Sequence, residues 1–206
     1  EVEDRELSTY EFLVEGVPLE KVAMETEISG LSIVPATIDL SSADIDLISN
    51  EKRSHLLHEA LRKKKENKQK YDYILIDCPP SLNILTVNAM VASHSGLIPL
   101  QSEFFALEGL SQLLLTVKEV RQNANENLRV EGIVLTMFDG RNNLSKQVEA
   151  DARSNLRELV FKTIIPRNVR VSEAPSYSMP VLTYDPSSKG SKAYTRLAKE
   201  LLANNS

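Results

Sequence analysis

The sequence predicts an α/β protein: a doubly wound, mostly parallel β-sheet with helices on both faces. Three observations lead there. Short apolar runs at 73–76 (YILI), 95–100 (SGLIPL) and 130–138 (VEGIVLTMF) are each followed by a stretch of helical periodicity, and strands alternating with helices are the pattern of a parallel sheet. The runs are continuous rather than alternating, as suits strands covered on both faces. With 206 residues, 42% of them apolar, the chain can bury one full core, so a single domain over 1–206 is expected.

Taken in order, Ser8 caps a short helix holding Tyr10, Phe12, Leu13 and Val14, and Pro18 opens another. Residues 31–35 (LSIVP) read as a short strand. Ser41 and Ser42 cap a segment beginning Ala43, Asp44, Ile45. A helix rich in Leu and charge runs over 51–68; its basic end, with Arg62, Lys63, Lys64, Lys65, Lys68 and Lys70, suits the negative pole of a helix. The run 73–76 ends in Asp77, followed by Pro79 and Pro80, which forbid continuation of a ladder. Helix follows at 82–93. The strand 95–100 ends in Gln101, Ser102 and Glu103. Leu107, Leu110, Leu114 and Val117 mark a long amphipathic helix to about 122. After the strand 130–138 comes the turn Asp139, Gly140, Arg141, then a helix over 143–160. Its apolar face is Leu144, Val148, Ala152, Leu156 and Leu159, with Lys146, Arg153 and Arg157 opposite, within about 40° of each other at 100° per residue. Strands at 162–166 and 181–184 and a helix at 192–203 complete the chain.

Charge and cysteine usage narrow the function classes. The net charge is −5, yet residues 1–140 carry 13 Lys/Arg against 23 Asp/Glu, and residues 141–206 carry 11 against 6. An acidic body with a basic carboxyl-terminal part suggests that one surface meets a polyanion. The lone Cys78 excludes an internal disulfide and suits a reducing cytoplasm. It reads as a small buried filler rather than a nucleophile, because no His is near it in sequence. His55, His58 and His94 make no metal-ligand spacing with it. No apolar run approaches the roughly 20 residues needed to span a bilayer. In an open α/β sheet ligands bind at the carboxyl edge of the strands, so Asp77 is placed to hold a hydrated Mg²⁺ beside phosphates.

Five segments together resemble the ParA/Soj chromosome- and plasmid-partitioning ATPases, a deviant Walker A class that also contains MinD. They are VPATIDLSSADIDL at 34–47, YDYILIDCPPSLNILTVNAM at 71–90, IPLQSEFFALEGLSQLL at 98–114, GIVLTMFDGRNNLSKQV at 132–148 and IIPRNVRVSEAPSYSMPVLTYDPSSKGSKAY at 164–194. The resemblance covers nearly the whole chain from Gly30 onward, in family order, and implies a P-loop NTPase-like fold. One departure is large. The family begins with a strand and a KGGVGKT phosphate loop, then a second strand ending in DxDPQ, and neither is present. None of the seven glycines is followed by Lys, so no Walker A can be written. With Glu rather than Met at residue 1, this predicts a chain truncated at its amino end that does not hydrolyse ATP.

Residue by residue, the resemblance implies that Asp77 is the Walker B acid, catalytic and holding Mg²⁺ through water. It implies that Thr136, Met137 and Asp139 lie at the base-recognition end of a strand, and that Pro166, Arg167 and Asn168 form the loop packed against adenine. Gln101 and Glu103 are expected to support a dimer face. Arg141 and Arg170 match the arginines assigned to sequence-independent DNA binding, and guanidinium groups do pair well with phosphate oxygens. The stripe Lys146, Arg153, Arg157 extends that contact or is a merely solvated face. The implied activity is that of an ATP- and Mg²⁺-dependent homodimer, cytoplasmic and nucleoid-associated, that binds DNA non-specifically and is stimulated by a ParB-type partner. Two alternatives stand beside it: a non-catalytic DNA- or partner-binding module, favoured by the missing loop, and a MinD-like membrane-cycling ATPase. The second would need a basic amphipathic tail with bulky apolar anchors, whereas this chain ends in RLAKELLANNS.

Overall fold

The computed structural model describes residues 7–43, 47, 50, 52–62, 71–79 and 81–205. They form two compact units, one within 1–94 and 117–128 and the other within 95–116 and 129–206.

The first unit opens on a capping box. The buried Ser8 accepts the Tyr10 N–H on Oγ at 3.1 Å and donates from Oγ to Glu11 Oε2 at 2.7 Å, and the same carboxylate oxygen accepts from the Ser8 backbone N–H at 2.6 Å, so two backbone donors at the helix start are satisfied by side chains. The turn Glu11–Glu15 buries Phe12 and Leu13 and stops at Gly16, which is left-handed at φ 70°. Helix α1 (Leu19–Val22) follows Pro18, as expected. The expected strand at 31–35 is reduced to a two-residue pairing: β1 (Met24–Glu25) runs antiparallel to β2 (Ser32–Ile33). Ser41 and Ser42 donate back to the carbonyls of Ile38 and Asp39. Asp44, Ile45, Glu51, Lys63, Lys64, Lys65, Lys68, Lys70 and Pro80 lie outside the described residues.

Helices α2 (Leu56–Arg62) and α3 (Ile84–Ala92) are tied by the buried Asn88. Its amide donates to the carbonyls of Arg53 and Ile84 at 2.6 and 3.0 Å, while its oxygen accepts from Leu57 N–H at 3.2 Å. A buried amide satisfied this fully fixes the pairing of two helices. Asn125 closes the other end of α3 by donating to the carbonyls of Met90, Val91 and Ser93. Around it Val91, Val120 and Leu128 form a small apolar cluster.

The run 73–76 departs from expectation. Residues 71–79 belong to no helix or strand, and Tyr73, Ile74 and Leu75 are exposed, Leu75 at 86%. A covered strand needs neighbours as well as apolar composition, and none pairs with this segment among the described residues.

The second unit is the α/β core. Strands β3 (Ser95–Gln101) and β4 (Arg129–Thr136) are parallel, with Ile98 opposite Ile133 and Leu100 opposite Leu135. Residues 160–166 run along the other side of β4, bridging Ile133 to Val160 and Phe138 to Pro166 in parallel. Helix α4 (Ala106–Asn123) follows β3 and α5 (Asn143–Leu156) follows β4. Short helices α6 (Val169–Glu173) and α7 (Val181–Tyr184) lead to the closing helix α8 (Lys189–Asn204). Strand side chains alternate between faces. Ile133 and Leu135, fully buried, meet Leu110 of α4 and Ala152 of α5, while Val134 packs with Phe161, Ile165 and Ala193 and Leu197 of α8. Both faces of β4 are therefore covered, each large aliphatic contributing roughly 1.5–3 kcal/mol, whereas β3 buries Ile98 and Leu100 on one face and leaves Leu97 and Pro99 exposed on the other. Gly132 permits the close approach of the third segment: a Cβ there would lie 2.3 Å from Phe161 Cε2.

Two elements depart from the sequence reading. The helix expected over 143–160 ends at Leu156, because Arg157 turns the chain at φ 40°, ψ −111°. Residues 181–184 are one helical turn rather than a strand. Pro180 presets the helix-entry φ, and its carbonyl accepts from Thr183 and Tyr184 N–H at 2.9 Å each.

The start of the third segment is held by one carboxylate. Glu200 of α8 accepts from Lys162 N–H at 2.7 Å and Thr163 N–H at 2.9 Å. Burial alone pushes this carboxyl up, but the hydrogen bonds from Thr163 and Lys162 outweigh burial and hold it below the ordinary 4.5. Glu200→Gln, which leaves one oxygen for two donors, is expected to destabilise the fold by about 1–3 kcal/mol at neutral pH. A lowered carboxyl stabilises fully above its unfolded value, and that contribution is lost as pH falls through the folded one. Urea melts across pH 7 to 3 are therefore expected to bring the two proteins together at the acid end.

Candidate functional site

The residues singled out at the ends of β4 and the third segment are brought together in the second unit. Phe138 N–H donates to Ile165 O at 3.2 Å, and Arg167 N–H returns the bond to Phe138 O at 3.0 Å. This pairing sets Thr136, Met137 and Asp139 beside Pro166, Arg167 and Asn168 at the carboxyl edge of a parallel sheet, where open α/β folds bind ligands. Met137 sits at φ 52°, a conformation that side chains other than glycine adopt at a cost, met often at functional sites. The edge is braced by Ser102, which donates from both N–H and Oγ to Thr136 O at 3.2 and 3.3 Å, while Ser145 Oγ reaches Ser102 O at 3.4 Å. The sequence marks Ser102 only as a strand end; its bracing depends on the β3–β4 register.

Asp139 and Arg141 form a tight turn. Arg141 donates to Asp139 Oδ1 from its backbone N–H at 3.0 Å and from Nε at 3.1 Å, and to Oδ2 from Nη2 at 2.9 Å. Those side-chain and backbone hydrogen bonds hold the Asp139 carboxyl down to about 2, so it is ionised throughout the physiological range. Asn142 caps α5 by accepting from Leu144 N–H at 2.9 Å, which starts the helix directly behind the turn.

Asn168 precedes α6, and its side-chain oxygen is buried without a hydrogen-bond partner. A buried acceptor left open in this way has a demand that a ligand donor or a water can meet. Gly190 lets α8 pack closely against it, since a Cβ there would lie 2.4 Å from Val171 and 3.4 Å from the Asn168 amide. Arg170, in the first turn of α6, donates from Nη1 to Glu173 Oε2 at 2.9 Å and lies with Nε 3.4 Å from Asp185 Oδ2. Tyr184 OH reaches the same Glu173 oxygen at 3.4 Å and stacks on Tyr177 with ring centres 4.9 Å apart. Glu173 is legible as an acid three residues after Arg170 on a helix, whereas Asp185 comes near only through the fold.

The remaining candidates are separate from this cluster. Lys146 is exposed on α5, Arg153 is half-buried and paired with Glu149 at 3.0 Å, and Arg157 lies past the helix end. The three thus do not share one regular helix face. Gln101 and Glu103 are exposed at the end of β3. Asp77, in the first unit, is exposed, and so is Cys78, which is not the buried filler expected of it. Among the described residues no group of three or more His, Cys, Asp or Glu could hold a metal ion, and no helix is long and apolar enough to cross a membrane.

Comparison with known proteins agrees with this architecture. A family profile described as an AAA domain matches residues 1–130. The chromosome partitioning protein ParA of Caulobacter vibrioides is 49% identical over 199 residues, spanning 97% of this chain and 74% of that protein. The sporulation initiation inhibitor protein Soj of Bacillus subtilis is 48% identical over 201 residues, spanning 98% of this chain and 78% of that one. Among solved structures, cobyrinic acid a,c-diamide synthase from Mycobacterium smegmatis with bound ADP and magnesium matches with a TM-score of 0.78 at 32% identity. That match covers 97% of this chain and 72% of that one. With a parallel sheet flanked by helices and nearly half of all residues shared, the chain belongs to the ParA/Soj family of chromosome-partitioning ATPases.

Proposed function

We propose that residues 1–206 are one ParA-type nucleotide-binding domain of a DNA-partitioning ATPase. The intact protein forms a homodimer with ATP and Mg²⁺, binds nucleoid DNA without sequence preference in the cytoplasm, and is stimulated to hydrolyse ATP by a ParB-type centromere-binding partner. One observation carries this reading. Thr136, Met137, Asp139, Pro166, Arg167 and Asn168 converge at the carboxyl edge of one parallel sheet, and Arg141 and Arg170 follow them within two or three residues.

The residues present fit one end of a nucleotide. Asn168 Oδ1, buried and without a donor, suits a base amine, and Asp139 supplies a permanent negative charge at the same edge. For the phosphates the chain has no glycine followed by Lys, so it lacks the amides and the lysine that cradle them. ATP with Mg²⁺ supplies the phosphoryl transfer whose completion ends the DNA-bound state, and Asp77 would hold the hydrated ion. Arg141 and Arg170 would meet DNA phosphates, with Lys146, Arg153 and Arg157 as flanking charge.

The test compares ATP turnover by this chain with that of a version extended upstream by a strand and a KGGVGKT loop. The chain itself is expected to be inactive. The extended version is expected to turn over ATP, faster with DNA and a ParB-type partner, and to lose at least about 100-fold on Asp77→Asn, as when other charge-stabilising groups are removed. Turnover by the chain alone contradicts the role given to the loop. An inactive extended version, with DNA binding retained by the chain, would favour the non-catalytic binding module, which the missing loop already supports.

A further inference from the structure

The two arginines offered to DNA phosphates are already engaged by carboxylates. Asp139 Oδ1 takes two donors from Arg141 and Oδ2 takes a third. Arg170 is held between Glu173 and Asp185, and these acids are themselves fixed. Asp185 Oδ1 accepts from Ser187 N–H at 3.1 Å and Ser187 Oγ at 2.8 Å, and Glu173 accepts from Tyr184 OH at 3.4 Å. A guanidinium fork binds carboxylate and phosphate through the same planar edge, so one occupant competes with the other. By contrast, Lys146 and Arg157 have no ion pair among the described residues. Exposed pairs of this kind are weak, and they can exchange partners without unfolding anything.

We propose that Asp139, and Asp185 with Glu173, act as internal masks that occupy Arg141 and Arg170 and hold down the DNA affinity of the resting chain. DNA binds by partner exchange: each guanidinium leaves its carboxylate for a phosphate. The basic excess of residues 141–206 still attracts the polyanion from a distance, so the mask sets the strength of close contact rather than the approach. This inference rests on the DNA-binding reading above.

The test is fluorescence anisotropy on random-sequence duplex DNA, without nucleotide, between about 50 and about 200 mM salt. Asp139→Asn keeps the shape and one acceptor for the Arg141 N–H but removes the charge. It is expected to tighten binding by about fivefold and to steepen the salt dependence by about 0.9 in logarithmic slope, one more phosphate being neutralised. Arg141→Ala in the same chain is expected to cancel that gain, as a coupled pair requires. Asp185→Asn gives an independent second case, cancelled by Arg170→Ala. Glu119→Gln, on the exposed side of α4, measures the effect of losing a negative charge elsewhere. A gain no larger than that of Glu119→Gln, or one that survives the arginine substitution, overturns the mask. The DNA reading survives such a result if the unsubstituted chain still binds through Arg141 and Arg170. Absence of binding by every variant, Asp139→Asn and Asp185→Asn included, overturns the mask, while the DNA reading of the ATP-bound dimer stands or falls on the version extended upstream.

Discussion

Replacing Arg141 and Arg170 together by alanine is expected to abolish measurable binding of random-sequence DNA at moderate salt, with each arginine alone costing about tenfold or more. The reason lies in their chemistry and position. Both are exposed in the second unit, and each offers a fork matched to phosphate oxygens. In the proposed homodimer each is presented twice, so the loss is compounded. Binding by each single variant should also show a salt dependence shallower by about 0.9 per phosphate contact removed. Because both side chains lie on the surface, the melting temperature of the double variant should stay close to that of the parent. A comparable loss of folding would instead assign the two arginines to the structure.

The largest expected effect on stability comes from Leu135→Ala. Leu135 is fully buried in the middle of β4 and belongs to the cluster that joins the sheet to α4 and α5. Removing its branched end deletes the contacts and leaves a cavity that the strand, paired on both sides, cannot close. Losses of about 2–5 kcal/mol are usual for such sites, and a value near 3 would lower the melting temperature by roughly 6–12 °C for a chain of this size. Thermal unfolding followed by circular dichroism measures this directly. A change smaller than about 1 kcal/mol would mean that β4 is not the centre of the core.

The elements that were legible in the sequence are those whose signal is local. The runs SGLIPL and VEGIVLTMF specify β3 and β4, and β4 is buried on both faces as a continuous apolar run predicts, although β3 buries only the face of Ile98 and Leu100. Ser8 followed by Glu11 marks a helix start through chemistry contained in four residues. What was not legible depends on neighbours. The run YILI has the composition of a core strand, yet residues 73–75 are exposed because no strand pairs with them among the described residues. Val181 to Tyr184 is β-branched and aromatic enough for a strand, but Pro180 imposes a helical entry. At the site, the ParA-like segments place Asp139 and Arg141 in one turn. That the aspartate grips the guanidinium follows only from the turn's backbone geometry. The open acceptor on Asn168 is invisible in sequence for the same reason: it is defined by what does not reach it.

The measurement that bears most directly on this account is binding to random-sequence DNA over a salt series, with and without ATP, for this chain and for a version extended upstream by the phosphate loop. ATP is expected to tighten binding by the extended version alone, with a steep fall as salt rises and loss on replacing Arg141 and Arg170. Binding by the present chain that is equally tight with or without ATP, and unchanged in the extended version, would contradict a nucleotide-switched partitioning ATPase and leave a constitutive DNA-binding module in its place.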